Sequence, residues 1–171
     1  MKLTKLFLLL ASISALVVSS DRSASADPPP TAPIHVSATV AANCKIEASD
    51  ISFGTYDPIG VNLAAPLEAQ GTVSITCTKG ANVHIALNQG IHYASNSNNM
   101  QGGSDSSLLP YGLYKNEHGV GPWGDDPNWF APTPSVNNAK RDFTVYGLIP
   151  AAQVVSPGTN YADTVTATVY F

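Results

Sequence analysis

The chain has 171 residues, 44% of them hydrophobic and only 12% charged, with a formal net charge of −4 and thirteen each of glycine and proline. That composition favours strands joined by turns over helices, and the length suits one domain around a single core. An acidic balance without a basic stripe excludes nucleic acid as a partner and makes an anionic membrane surface a poor one.

The N-terminus begins with the basic Met1-Lys2-Leu3-Thr4-Lys5, continues with an apolar run from Leu6 to Val18, and reaches the small residues Ala24-Ser25-Ala26. This tripartite pattern predicts a signal peptide over residues 1–26, cleaved before Asp27. The apolar run, about 13 residues long, is too short for the roughly 20 that a bilayer-spanning helix needs. No other stretch is apolar enough, so the mature chain is expected to have no direct membrane insertion. It carries five basic residues against eleven acidic ones.

Asp27 to Pro33 holds four prolines in seven residues and reads as an extended leader. Ile34-His35-Val36-Ser37-Ala38-Thr39-Val40 then alternates strictly, which predicts a strand with one apolar face. Residues 27–43 are expected to stand apart from the domain proper, residues 44–171. Cys44 and Cys77 are the two cysteines. In an exported chain they are expected to form one disulfide, worth roughly 3–4 kcal/mol in the chain-entropy model. Two buried free thiols are the alternative, while zinc lacks an accompanying His pair.

Further strands are predicted at Ile51–Tyr56, Thr72–Thr78, Val83–Leu87, Leu108–Tyr114, Phe143–Ile149 and Val165–Phe171. Thr72–Thr78 and Val83–Leu87, joined by Lys79-Gly80-Ala81-Asn82, read as a hairpin. Cys77 falls on the inward face, so its partner is expected from a strand stacked nearby. Ile91–Ser107 reads as a long surface loop, and the prolines between Glu117 and Asn138 break any regular element. About seven short alternating strands and no convincing helix predict an all-β sandwich.

The ordered set of Cys44, Phe53-Gly54-Thr55-Tyr56, Gly71 to Thr78, Leu109 to Tyr114, Trp123-Gly124, Val145 to Pro150 and Tyr161 to Val169 resembles the spore coat protein U domain family. That family includes subunits of archaic, Csu-type chaperone–usher pili. The resemblance implies an immunoglobulin-like β-sandwich that is incomplete and is completed by a donated strand. It implies a pilin-like subunit whose partners are a periplasmic chaperone, an outer-membrane usher and neighbouring pilus subunits. The chain would be exported through the periplasm to a surface fibre. Carried onto this sequence, Ile34, Val36, Ala38 and Val40 would form the donor face. Val165, Ala167, Val169 and Phe171 would line the groove and meet the chaperone, and Cys44–Cys77 would match the family disulfide. The chain departs from the family in having Asn99-Met100 where an Arg often precedes the Met, and in its second tryptophan, Trp129. It leaves no room for the additional N-terminal binding domain of a tip adhesin, so a shaft-type or stand-alone subunit is expected.

Catalytic signatures are missing from the sequence. His35 and His84 fall on the polar faces of strands, His92 and His118 in loops, and neither a Gly-x-Ser-x-Gly elbow nor His-Glu-x-x-His occurs. No enzymatic activity and no cofactor or metal are expected. Asp125-Asp126 between Trp123 and Trp129 raises calcium or sugar binding, against the plainer reading of aromatics tucked over the sandwich. Two other roles stand beside the pilus subunit. One is a self-complemented coat or matrix protein, the other a carbohydrate-binding adhesin acting through Trp123 and Trp129.

Overall fold

The structure, a computed structural model, describes residues 27–171. The predicted signal peptide, residues 1–26, lies outside the described residues. Eight strands follow in order: β1 (Cys44–Ala48), β2 (Leu67–Cys77), β3 (His84–Leu87), β4 (Asn98–Gly102), β5 (Ser107–Asn116), β6 (Val120–Pro122), β7 (Arg141–Ile149) and β8 (Ala167–Tyr170). One 3₁₀ turn, Val61–Leu63, is the single helical element among the described residues.

The larger sheet runs β1-β2-β7-β5-β4, with β6 also paired to β5, and the smaller sheet consists of β3 and β8. Every pairing is antiparallel. Period-2 alternation explains why these segments form strands. In β2, Val73, Ile75 and Cys77 are buried, and in β5 the same holds for Leu109, Tyr111 and Leu113. Each strand therefore turns one apolar face inward. Ile75 and Ile149 on the large sheet meet Ile85 on the small one, and all three are essentially sealed from solvent.

The predicted hairpin of Thr72–Thr78 with Val83–Leu87 is not formed. β2 pairs with β1 and β7 on its two edges, and β3 pairs with β8. The turn at Lys79-Gly80 carries the chain from one layer to the other. Gly80 adopts φ +83, a left-handed value that suits glycine. The disulfide links Cys44 to Cys77 as predicted. Its partner strand, however, lies beside β2 in the same sheet, because Cys44 and Cys77 face each other in the β1–β2 register.

Ile51–Tyr56 forms no strand. Its alternation is real, with Ile51, Phe53 and Tyr56 half-buried, but these side chains are draped over the large sheet's inner face. A Cβ on Gly147 would lie 2.7 Å from the Phe53 ring, and one on Gly71 would lie 2.5 Å from Ile51. The two glycines thus supply the space in which Ile51 and Phe53 sit. The predicted loop Ile91–Ser107 contains β4. The strand predicted over Ile34–Val40 is not formed: residues 27–38 contain no strand, and neither do residues 39–43.

Candidate functional site between two unpaired strand edges

Among the described residues β1 pairs only with β2, and β8 pairs only with β3. The two strands approach each other across the mouth of the sandwich, and each leaves one edge without a strand partner. An unpaired edge presents a row of N–H and C=O groups able to accept another strand. Beside these edges, inward-facing apolar side chains remain half-buried: Cys44 and Ile46 on β1, Ile51 and Phe53 just after it, and Val165, Ala167 and Val169 along β8. Thr166, Thr168 and Tyr170 alternate with them toward solvent. The candidate site is therefore a strand-length strip of partly covered core flanked by two open ladders.

Each wall is fastened separately. The Cys44–Cys77 disulfide, spanning 33 positions in sequence, staples β1 to β2 at its first residue. Ile51 and Phe53 hold the following segment down. Tyr56 donates its hydroxyl to the Pro150 carbonyl at 2.8 Å and accepts the Gln153 N–H at 3.0 Å.

The β8 wall is held by Asp163, whose side chain is only 2% exposed. Its Oδ1 accepts the backbone N–H groups of Ile91 at 2.9 Å and His92 at 3.2 Å. The His92 ring Nδ1 lies 3.1 Å from the same oxygen. Oδ2 accepts the Tyr111 hydroxyl at 2.6 Å. Burial first, then the hydrogen bond to Asp163 and its charge, hold the Tyr111 hydroxyl well above the usual phenol range. Gly90 adopts φ +74, and a Cβ there would strike the Asp163 carboxylate. After this anchor, Thr166 accepts the Asn88 N–H at 3.0 Å and donates its own N–H to Asn88 Oδ1 at 2.8 Å.

The sequence matches the Spore Coat Protein U domain over residues 30–168. The chain belongs to that family. It is 32% identical over 153 residues to Protein U of Myxococcus xanthus, a match covering 82% of this chain and 84% of that protein. It is also similar, with TM-score 0.54 and 25% identity, to a chain in the crystal structure of the CsuC–CsuE chaperone–tip adhesion subunit pre-assembly complex from archaic chaperone–usher Csu pili of Acinetobacter baumannii. That likeness covers 78% of this chain but 40% of the other, so this chain spans well under half of that neighbour's length. The all-β, immunoglobulin-like sandwich of the spore coat protein U family is the fold seen here.

The residues singled out from sequence fall in two places. Val165, just before β8, and Ala167 and Val169 within it are half-buried, whereas Phe171 lies beyond β8 and is 57% exposed. In the N-terminal segment, Ile34, Val36 and Val40 are 88%, 91% and 82% exposed, and Ala38 is exposed too. The alternating apolar face there is open to solvent.

The tryptophans divide differently. Trp123 is buried and donates its indole N–H to the Ile85 carbonyl at 2.8 Å. It is a core residue and offers no face for a sugar. Trp129 is half-buried against His84, ring centroids 4.5 Å apart. The segment around them closes the far edge of β3, where Ile85 and Phe130 exchange two backbone hydrogen bonds of 2.8 Å. Among the described residues no group of three or more His, Cys, Asp or Glu side chains converges to hold a metal.

Sequence reasoning missed the Asp163 anchor. The available signal was an acidic residue two positions ahead of the alternating run from Val165, in Tyr161-Ala162-Asp163-Thr164, where a surface charge would have been the ordinary reading.

Proposed function

We propose that this chain is an exported, non-enzymatic, pilin-like subunit that polymerises by donor-strand exchange. The residue range 27–43 acts as leader and donor, and residues 44–171 as the accepting domain. The observation that carries this reading is the pair of unpaired edges, β1 and β8, with half-buried Ile46, Phe53, Val165, Ala167 and Val169 between them. An incoming strand would complete both ladders and cover that strip. The exposed alternation at Ile34, Val36, Ala38 and Val40 supplies such a strand, and the four prolines before it supply reach. Before assembly a periplasmic chaperone would cover the strip, and an outer-membrane usher would exchange it for a neighbouring subunit's segment. Family membership and the likeness to a chaperone-bound pilus subunit support these partners and a route through the periplasm to a surface fibre.

Deleting residues 27–42 tests the reading. High-molecular-weight ladders in unheated gels and fibres in electron micrographs are expected to disappear, while the truncated subunit still co-purifies with its chaperone. Normal fibres from the deletion would refute the donor assignment. The match to Protein U over most of that protein's length favours one second reading, a secreted coat protein that remains a monomer. A stable monomer by hydrodynamic size, expressed without any chaperone, would select it.

A further inference from the structure

β4 and β6 both pair with the same edge of β5 but do not meet. β4 ends its pairing at Asn98, opposite Tyr111, and β6 begins at Pro122, opposite Tyr114. Between them Gly112 pairs with Leu148 of β7, the Tyr114 ring lies over it where a Cβ would stand, and Trp123 donates its backbone N–H to the Leu113 carbonyl at 2.9 Å. An open cleft of about 360 Å³ lies beside this junction, at the lower end of the roughly 300–1,000 Å³ of small-molecule sites. It is reached from the β5 edge, whereas the donor-accepting strip lies along β1 and β8.

The chemistry of the lining is distinctive. Tyr93 and Tyr114 supply aromatic faces, and Asn96, Asn128, Asp125 and Asp126 supply amide and carboxylate groups. None of these six side chains is engaged in an intramolecular hydrogen bond among the described residues, and all but Tyr114 belong to exposed residues. No Lys, Arg or His lines the cleft. Two carboxylates without a cation repel an anionic ligand. Amide and carboxylate pairs accept and donate to vicinal hydroxyls, and tyrosine faces stack on the C–H faces of a pyranose ring. Polar groups held on a loop that is itself tied to β3, through Leu87 N–H to the Gly124 carbonyl at 3.3 Å, are positioned before the ligand arrives.

We infer that this cleft binds a neutral saccharide of one or two units. Trp123, a buried core residue, forms the inner wall of the cleft and offers no open face for stacking, and the cleft remains accessible whether or not a strand occupies the edge between β1 and β8.

The test is saturation-transfer difference NMR, which tolerates large assemblies, on the mature chain in its chaperone-bound or fibre form. The probes are methyl glycosides of glucose, galactose and N-acetylglucosamine and their disaccharides, with a uronic acid disaccharide as the anionic comparison. Saturable binding of at least one neutral probe is expected in the millimolar range or tighter. Asn128→Ala and Tyr93→Ala, both surface substitutions, should each weaken it about tenfold or more, the effect of losing one good contact. The anionic probe should bind more weakly by a similar factor. Absence of saturable binding by any neutral probe overturns the inference. Equal binding of the uronic acid, or binding unaffected by both substitutions, overturns it as well. Fibre formation by the same variants is read separately, so failure here leaves the strand-exchange reading standing.

Discussion

Removing the buried carboxylate of Asp163 should destabilise the domain more than any other single polar change near the candidate site. Two backbone N–H groups, the Tyr111 hydroxyl and the His92 ring all converge on it, and its side chain is 2% exposed. A hydrogen bond to a charged acceptor contributes about 1.5–3 kcal/mol net, and bonds sharing one acceptor do not add. Asp163→Ala strands the buried Tyr111 hydroxyl and removes the acceptor of the Ile91 and His92 N–H groups, so a loss of about 2–4 kcal/mol is expected. Asp163→Asn keeps the shape and one acceptor oxygen and should lose about 1.5–3 kcal/mol. Tyr111→Phe removes one donor while leaving the other bonds in place, and should lose about 1–2 kcal/mol. Equilibrium urea unfolding of the mature chain, followed by fluorescence of buried Trp123, measures each. A double variant, Asp163→Asn with Tyr111→Phe, should lose at least about 0.5 kcal/mol less than the sum of the singles, the sign of a shared interaction. If Asp163→Asn unfolds at the wild-type urea concentration, or the two changes are strictly additive, the convergence carries no energy and the anchoring of β8 is wrong.

Replacing both cysteines by serine should lower stability by about 3–4 kcal/mol, as expected for a loop of this length, and reduction of the wild type should reproduce the loss in the same urea assay. Gly147→Val places carbon against the Phe53 ring, 2.7 Å from a bare Cβ, and should cost about 1–3 kcal/mol through overpacking. Tyr111 also predicts an alkaline response. Its folded pKa lies above the ordinary value of 10.0, so its contribution is complete below pH 10. The contribution is lost as pH climbs above that, because the unfolded chain releases the proton first. Wild type should therefore lose stability above pH 10 more steeply than Tyr111→Phe, measured by urea midpoints at successive pH values. The Lys140–Glu47 pair is fully exposed despite its 2.6 Å separation, and Lys140→Ala should leave the urea midpoint unchanged.

Alternation made β2, β5, β7 and β8 readable in the sequence, because each has one buried face and a period of two cannot be mistaken for a helix over that length. Pairing was not readable, since nearness in sequence does not decide which strands share a ladder. β2 was already flanked by β1 and β7, so Val83–Leu87 had to join the other layer. Ile51–Tyr56 shows the converse. Its side chains alternate because they pack on Gly71 and Gly147, while its backbone forms no strand. β4 escaped notice because its two buried residues, Asn99 and Gly102, carry no apolar side chain. Asn99 donates its side-chain amide to the carbonyls of His92, Ala94 and Ser97, satisfying a turn that would otherwise bury unpaired groups. The aromatic pair was readable only as a pair. Burial of Trp123 and the stacking of Trp129 on His84 depend on the chain folding back along β3, which no local pattern encodes. The alternation at Ile34 to Val40 was readable as a pattern, but it forms no strand here and its apolar side chains are exposed.

Two neighbouring edges without partners are an aggregation hazard for any domain, and the way they are held bears on how they could be used. β1 is stapled at Cys44 and continued by Ile51 and Phe53, which are seated on glycines. β8 is pinned just ahead of its first residue by Asp163. Each wall has its own fastening, the disulfide and Tyr56 on one side and Asp163 on the other. On the proposed reading, an arriving strand meets walls already set, so little ordering cost falls on the acceptor. The donor then contributes its backbone ladder and four modest apolar side chains, the latter worth only several kcal/mol together at about 25 cal/mol per Å². A durable fibre would therefore owe its persistence to slow release of a fully paired strand, and weakening either clamp should shorten fibre lifetime even where no donor contact is touched.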